Sequence, residues 1–296
     1  MNYKNLTLDI SDQARQIATL CLNRPETGNA LNKELIAEMH QAFDQIEQTP
    51  TRLLILKANG KHFCTGADLN WMKQSKALSK EENHQDARQL ASLIQRLDQF
   101  PAPTIAAVQG AAFGGALGLI TACDIAIASR SAKFCLSEVK LGLIPAVISP
   151  YVVRAMGARQ ARRYFLSAET IAAKQALRLN LIHERCKEQD LSSTVEVLCD
   201  QIIQNAPVAM AEAKRLIDDV NHQLIDEDLI NLTCERIASI RISPEGQEGL
   251  SAFLEKRAPD WGEPSANKKP LANKKPLANK KPSANKKPSA KEQHHD

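Results

Sequence analysis

The stretch QGAAFGGALGLITACDI, residues 109–125, decides the fold because it joins a strand-like run to an apolar helix through two glycines. PTIAAV, residues 103–108, precedes it with the continuous apolar character of a buried strand. Gly114 and Gly115 stand where the helix should begin. Within residues 109–125, no side chain before Asp124 can take part in acid–base chemistry. Glycine lets a backbone approach a ligand closely, and a helix start presents unpaired N–H groups at a positive dipole end. The stretch therefore predicts a site built from backbone atoms.

A second turn, KHFCTGADLNWM at residues 61–72, has similar features. A strand-like run ends near Lys57, Gly66 allows a tight turn, and Asp68 can cap the helix that follows. Two N–H donors, one from this turn and one from Gly115, are the kind of group that holds a developing oxyanion. A dinucleotide-binding turn is the competing interpretation, but the sequence contains no GxGxxG.

Short apolar strands alternate with helical periodicity through about residue 145, which predicts an α/β domain. The predicted strands are residues 14–23, 52–59, 103–108, 124–129 and 132–138. The predicted helices of this part are residues 32–48, 84–100 and 116–124. The pattern then becomes mostly helical, with four segments at residues 192–206, 207–220, 228–242 and 245–257 that predict a second, all-helical region.

The composition changes abruptly at Glu263. The hexapeptides SANKKP, LANKKP, LANKKP and SANKKP follow one another, with no apolar face and a proline at every sixth residue, which predicts disorder. Nine lysines against three acidic residues give this tail a net charge of +6, so residues 1–262 carry −2 of the chain's +4. An anionic partner is one interpretation of the tail; a solvated extension is favoured because no aromatic residue is interleaved to stack on bases.

The remaining composition indicates a globular protein of the cytoplasm. Apolar residues make up 43% and charged residues 24% of the chain, no apolar run approaches the roughly 20 residues of a membrane span, and the start lacks the pattern of a secretory signal. The seven cysteines are scattered without CxxC pairs, which is typical of reduced, buried thiols. No ligand-like spacing supports a metal site.

The motifs in their order resemble the enoyl-CoA hydratase/isomerase family, also named the crotonase family. They are LNRPETGNALN, KHFCTGADL, QGAAFGG, ACDIAIAS, AKFCLSEVKLGLIP and, near the end, AFLEKRAPDW. The resemblance covers nearly all of residues 1–257 and implies a crotonase-type spiral of ββα units over residues 1–192, a helical trimerisation region over 193–262, and the tail over 263–296. It further implies an acyl-CoA thioester as substrate, no metal or redox cofactor, and a homo-oligomer that is a trimer or a hexamer.

The resemblance also implies roles for individual residues. The backbone N–H groups of Ala67 and Gly115 would bind the thioester oxygen, and Glu138 would be the catalytic acid–base residue. Hydratases of the family usually have a second glutamate, at the position that Gly118 occupies here. In a Glu138→Gln variant, a glutamate placed at 118 is expected to restore some hydration of a small substrate such as crotonyl-CoA, but not isomerisation, if that helix face has room. The resemblance assigns substrate binding to nine positions: Arg24, Ala30, Leu31, Gly66, Asp68, Leu69, Gly114, Gly118 and, from a neighbouring subunit, Lys256.

Residues 139–169 refine the match. VKLGLIPAVISPYVVRAMGARQARRYFLSAE resembles the bacterial subgroup that hydrates 3-methylglutaconyl-CoA and related branched enoyl-CoA thioesters in leucine or terpenoid breakdown, and that subgroup also carries a glycine in place of the first glutamate. We therefore expect hydration of a conjugated enoyl-CoA. Two alternatives stay open: double-bond isomerisation, which needs one glutamate, and a non-enzymatic protein that binds acyl-CoA, or RNA through the basic tail.

Overall fold

The computed structural model describes residues 3–12 and 15–261; the repeat tail lies outside the described residues. The described part contains two sheets. The strands are β1 (Leu6–Ile10), β2 (Ile17–Leu22), β3 (Leu53–Ala58), β4 (Thr104–Val108), β5 (Ala111–Phe113), β6 (Ile125–Ser129), β7 (Lys133–Cys135), β8 (Ile171–Ala172) and β9 (Glu184–Cys186). The larger sheet has the order β1-β2-β3-β4-β6-β9, and β5, β7 and β8 form the smaller one.

Most of the larger sheet is parallel: β2, β3, β4, β6 and β9 run in one direction and only β1 is antiparallel to its neighbour. Parallel sheets are covered on both faces, so their strands are almost continuously apolar. The run TIAAV of β4 follows this rule, with all five residues buried. This burial is why residues 103–108 were recognisable as a strand from sequence.

The described chain contains ten α-helices besides its short 3-10 helices. They are α1 (Lys33–Glu47), α2 (Leu69–Ser75), α3 (Lys80–Asp98), α4 (Gly115–Ala122), α5 (Ser149–Ser167), α6 (Ala173–Arg178), α7 (Leu191–Ile202), α8 (Pro207–Val220), α9 (Glu227–Arg241) and α10 (Pro244–Glu255). Their starts follow local chemistry: Asn32 caps α1 through its side chain, and Ser79 with Glu82 forms a capping box on α3.

The two faces of the larger sheet have separate cores. One face packs with α1, α3 and α4 into the larger cluster, which includes Phe43, Ile94 and Leu117. The other face is covered by α7, whose Val195 and Cys199 pack with residues of β2, β3 and β4. The first helix of the predicted C-terminal region thus completes the sandwich around the sheet.

Four strands were not predicted. β1 lies near the start of the chain, and β5 lies between β4 and α4, in a stretch without a strand pattern. β8 and β9 are two and three residues long and interrupt a region predicted to be mostly helical. Pairing with a neighbouring strand, and not local pattern, defines elements this short.

The helices after α7 have largely exposed surfaces. Large apolar side chains on this part of the chain are exposed: Ile217, Leu224, Ile225, Ile237, Ile242, Leu250, Phe253 and Leu254. The described chain ends at Trp261, whose indole N–H donates to the Gln204 carbonyl at 2.8 Å. No helix among the described residues is long and apolar enough to cross a membrane.

All seven cysteines lie in the described residues and none forms a disulfide. Six are buried, and Cys234 on α9 is exposed. Burial raises the pKa of the Cys64 thiol to about 11, so this thiol stays protonated at neutral pH. A nucleophilic role for Cys64 is therefore disfavoured.

Candidate active site

The loop after β3 presents the N–H of Ala67 away from its neighbouring chain segment. Leu31 and Ala67 form an isolated parallel bridge, in which Leu31 N–H donates to the Gly66 carbonyl and Asp68 N–H donates to the Leu31 carbonyl, both at 2.8 Å. A parallel bridge uses the groups on either side of the central residue, so the N–H of Ala67 points the other way. Among the described residues it has no hydrogen-bond acceptor.

The start of α4 presents a second free N–H. Gly114 N–H donates to the Cys135 carbonyl at 2.9 Å, and its own carbonyl accepts from Leu117 N–H at 2.9 Å. Gly114 has φ +54°, ψ −122°, a conformation that favours glycine. The next residue, Gly115, is the first of the helix, and its N–H has no acceptor in the described part of the chain.

The carboxyl group of Glu138 lies beside Gly114, and Gly66 lies close to the same point. A Cβ atom placed on Gly114 would lie 3.2 Å from Glu138 Oε1 and 3.9 Å from Gly66 Cα, so only glycine leaves this space open. Gly66 has φ +104°, again a conformation suited to glycine. The prediction that Glu138 lies at the end of a strand is wrong. Glu138 is the first residue of a 3-10 helix (Glu138–Leu141), and two residues separate it from the end of β7.

Glu138 is half-buried and forms no ion pair with any residue that the structure describes. Its Oε2 atom is inaccessible and makes no hydrogen bond within the described structure. Burial raises the pKa of Glu138 above its ordinary value. A carboxyl group that titrates nearer to neutral pH is suited to move protons in both directions.

Gly118 lies against apolar side chains. A Cβ atom placed there would be 2.4 Å from Ile148 Cγ2 and 2.9 Å from Ile94 Cδ1. Ile148 is buried, with 2% of its surface exposed. These side chains fill the space that a glutamate at 118 would need. The expected restoration of hydration required that space to be open, so the expectation is not supported.

Arg24 and Asp68, both predicted to contact the coenzyme, are paired with each other. Arg24 Nη2 donates to Asp68 Oδ2 at 3.0 Å and Arg24 Nη1 donates to the Ala30 carbonyl at 2.6 Å. Only 12% of the Arg24 and 10% of the Asp68 side chain is exposed. Burial raises the pKa of Asp68, but hydrogen bonds from Asn70 N–H and the Arg24 guanidinium outweigh burial and hold this pKa below its ordinary value.

Of the other predicted binding residues, Ala30, Leu31 and Leu69 lie on the segments that form these turns, and Lys256 lies at the end of α10. Ala30 and Leu31 are buried, and Leu31 Cδ1 lies 2.8 Å from where a Gly115 Cβ would be. Leu69, the first residue of α2, is 74% exposed. Lys256 is exposed at the C-terminal end of α10, and its contact with a coenzyme bound to a neighbouring subunit stays a prediction.

Two residues near the site were not singled out from sequence. Asn29 is fully buried with φ +55°, and its side chain bonds to backbone atoms of three residues. The sequence does contain a signal for Asn29, which stands between a glycine and two apolar residues. Asparagine tolerates a left-handed backbone better than most residues, so this position could have been predicted as a turn. Ile148 gave none, since its contact with Gly118 joins helices distant in sequence.

A surface cleft of about 360 Å³ lies elsewhere, at the end of β2, β3 and β4 and beside the start of α7. Lys57, Gln109, Glu188 and Glu196 contribute its polar lining. None of the residues that surround Glu138 lines it. Among the described residues, no three His, Cys, Asp or Glu side chains are grouped in a way that could hold a metal ion.

Comparisons with known proteins agree on one family. The family pattern for enoyl-CoA hydratase/isomerase matches residues 12–264. The crystal structure of an enoyl-CoA hydratase from Shewanella pealeana is similar with a TM-score of 0.84 and 49% identity, covering 87% of this chain and 96% of that one. The predicted fold class, an α/β crotonase-type core followed by a helical C-terminal region, is confirmed.

Two curated relatives differ in activity. A crotonyl-CoA hydratase of Syntrophomonas wolfei is 30% identical over 260 residues, covering 87% of this chain and 97% of that protein. A 1,2-epoxyphenylacetyl-CoA isomerase of Escherichia coli is 31% identical over 256 residues, covering 85% of this chain and 97% of that protein. The first relative is named for a hydration and the second for an isomerisation, although their sequence identities to this chain are similar.

Proposed function

Because this chain belongs to the enoyl-CoA hydratase/isomerase family, we propose that it is an enoyl-CoA hydratase, a lyase that adds water to a conjugated acyl-CoA thioester. Glu138 is the acid–base residue, and the N–H groups of Ala67 and Gly115 bind the thioester oxygen. The coenzyme A ester is the substrate, and no further cofactor is part of the proposal.

The proposed reaction uses one carboxyl group twice. Glu138, ionised, takes a proton from water as the oxygen attacks the β carbon, and the negative charge moves to the thioester oxygen. The N–H groups of Ala67 and Gly115 stabilise that enolate, helped by the positive end of α4. Glu138 then returns the proton to the α carbon, which gives the 3-hydroxyacyl-CoA product.

One observation carries the proposal: Glu138 Oε2 is buried and has no hydrogen-bond partner among residues 3–12 and 15–261, while Oε1 faces the space left open by Gly114. A buried carboxylate oxygen is normally satisfied, because an unmet one costs about 1–3 kcal/mol or more. The N–H groups of Ala67 and Gly115 also have no acceptor among the described residues. A carboxyl group with an unused oxygen, close to unused N–H donors, is suited to bind reacting atoms.

The test is the variant Glu138→Gln, with Glu169→Gln as a control because Glu169 is on the surface and pairs with Arg163. The amide has nearly the same shape, so turnover of crotonyl-CoA should fall at least about a hundredfold in Glu138→Gln and stay unchanged in the control. Turnover of Glu138→Gln within a few-fold of wild type would reject Glu138 as the acid–base residue.

Folding of Glu138→Gln serves as the internal check. The folded-state pKa of Glu138 is raised, so its ionisation opposes folding as pH rises through that pKa, and this destabilisation is absent at lower pH. The glutamine variant lacks the ionisation. We therefore expect its unfolding temperature at neutral pH to equal or exceed that of wild type, which separates lost chemistry from lost structure.

We propose 3-methylglutaconyl-CoA, or a related branched enoyl-CoA of leucine or terpenoid breakdown, as the acyl group. The support is the resemblance of residues 139–169 to that subgroup, including the glycine at 118. A panel of straight, branched and carboxylated enoyl-CoA thioesters, compared by kcat/KM, tests it. A preference of tenfold or more for straight crotonyl-CoA would contradict the branched assignment.

Double-bond isomerisation is the second candidate, and the packing around Gly118 favours it. Ile148 and Ile94 fill the space of a side chain at 118, so α4 supplies no second acid and Glu138 acts alone. A single carboxyl group can carry a proton between two carbons. Mass spectrometry of products separates the candidates, because hydration adds the mass of one water and isomerisation leaves the mass unchanged.

We propose a homo-oligomer, a trimer or a hexamer, in the cytoplasm. The exposed apolar side chains of α8 to α10 support oligomerisation, since monomers rarely expose extended apolar surface. Unpaired cysteines support the location. Light scattering during size-exclusion chromatography tests the assembly, and the absorbance ratio of the eluted full-length protein tests the alternative of an RNA-binding role for the basic tail.

A further inference from the structure

We propose that the Arg24–Asp68 ion pair is a positioning element that fixes the direction of the Ala67 N–H toward the substrate oxygen. The inference rests on the proposed function, because it concerns one of its two N–H donors. It gives Arg24 and Asp68 a role other than the coenzyme contact predicted from sequence.

The ion pair holds both sides of the loop that contains Ala67. Asp68 directly follows Ala67, and its two carboxylate oxygens have separate partners: Oδ1 accepts from Asn70 N–H at 2.8 Å and Oδ2 accepts from Arg24 Nη2 at 3.0 Å. One oxygen therefore caps α2 and the other connects to the loop before α1. A carboxylate with both oxygens fixed leaves its own peptide unit, and the one before it, little freedom to rotate.

Arg24 passes this restraint to the opposite strand of the bridge. Its other terminal nitrogen, Nη1, donates to the Ala30 carbonyl at 2.6 Å. The next residue, Leu31, makes the two backbone bonds with Gly66 and Asp68 that flank Ala67. The guanidinium thus spans the gap between the two segments, and its planar fork suits two acceptors at once in a way that a lysine ammonium does not.

Asn29 holds the Arg24 end of this arrangement. Its Oδ1 accepts from Arg24 N–H at 2.7 Å, and its amide nitrogen donates to the carbonyls of Asn59 and His62, both at 2.8 Å. Asn29 is fully buried with a left-handed backbone. The loop of Arg24 is thereby fastened to the loop that leads into Gly66, independently of the ion pair.

Burial makes the ion pair a stiff connection. With 12% and 10% of the two side chains exposed, water competes weakly for their hydrogen bonds. An oxyanion donor acts only when its N–H points at the position of the developing charge, and a displacement of about 1 Å can reduce turnover about a hundredfold. Loss of the pair is therefore expected to affect the reaction step more than substrate binding.

The experiment compares Arg24→Met, Asp68→Asn and the double variant Arg24→Met/Asp68→Asn, with Arg163→Met as a control at the exposed Arg163–Glu169 pair. Asparagine keeps an oxygen for the cap of α2. The double variant leaves no unpaired buried charge, so it is expected to fold even if Arg24→Met alone does not. Each protein is assayed with crotonyl-CoA and titrated with acetoacetyl-CoA, whose enolate absorbs in the near ultraviolet and reports stabilisation of an oxyanion.

The expected result is a kcat lower by about 10- to 100-fold in the double variant, with KM within about threefold, a weaker enolate band and an unfolding temperature near that of wild type. Wild-type kcat and enolate band in the folded double variant would overturn the proposal, as would a rise in KM with unchanged kcat, which would return Arg24 to coenzyme binding. If wild type itself neither turns over an enoyl-CoA nor gives the enolate band, the proposed function fails and this inference fails with it.

Discussion

Gly118→Ala tests whether the packing against Ile148 is as tight as the structure has it. The new Cβ would be 2.4 Å from Ile148 Cγ2 and 3.0 Å from Ile148 Cβ, whereas carbon atoms in contact normally lie about 3.5–4.0 Å apart. Overpacking of this kind costs about 1–3 kcal/mol. Replacing glycine by alanine within a helix gains about 1 kcal/mol, so the net expectation is a loss of up to about 2 kcal/mol in the free energy of unfolding.

Urea unfolding followed by circular dichroism, at one protein concentration because assembly contributes to stability, measures this change. The matched background is Ile148→Leu, which keeps the side-chain volume but removes the branch at Cβ that would collide. Gly118→Ala should destabilise this background less than it destabilises wild type. Equal effects in both backgrounds, or an alanine variant more stable than wild type, would refute the explanation of why glycine stands at 118.

Three further predictions concern the site and the chain end. Burial raises the pKa of Glu138, and hydration needs its ionised form. As the pH is lowered, kcat/KM should therefore begin to fall at a higher pH than it would with an ordinary glutamate; a profile that stays flat down to about pH 4.3 would contradict this. Cys64→Ser should keep kcat within a few-fold, because the thiol is buried and protonated; an inactive variant with unchanged unfolding temperature would assign chemistry to Cys64. Removal of residues 263–296 should leave mass in light scattering and specific activity unchanged, since Trp261 already anchors the end of the described chain to Gln204; dissociation to monomers would give the tail a role.

Sequence pattern was sufficient for the elements whose environment is uniform along their length. The strand β4 is buried on both faces and reads as five apolar residues in a row, and α1 has an asparagine cap followed by apolar residues at helical spacing. The short strands β8 and β9 had no comparable signal, because their hydrogen bonds go to segments far away in sequence. Local composition contains no information about such partners.

The glycines of the site were predictable and the use of its charged residues was not. Gly66 and Gly114 stand out in sequence because both turns need a positive φ, which glycine adopts most readily, and Gly114 also has a close neighbour in Glu138. The pairing of Arg24 with Asp68 joins residues 44 positions apart. Arg24 taken alone is equally compatible with a coenzyme phosphate, and Asp68 with a helix cap, so local sequence contains no means to choose between an external and an internal partner for the arginine.

The positions of the cysteines allow local opening of the structure to be measured by thiol labelling. Cys234 is exposed on α9 in the single chain, whereas the six buried thiols can react only when the surrounding structure opens. Cys199 lies between α7 and the sheet, Cys123 follows α4, and Cys64 belongs to the loop of Ala67, with its thiol near the Gly66 carbonyl. Mass spectrometry of timed labelling would therefore give a separate opening rate for the α7 face, the α4 end and the Ala67 loop, without any introduced probe.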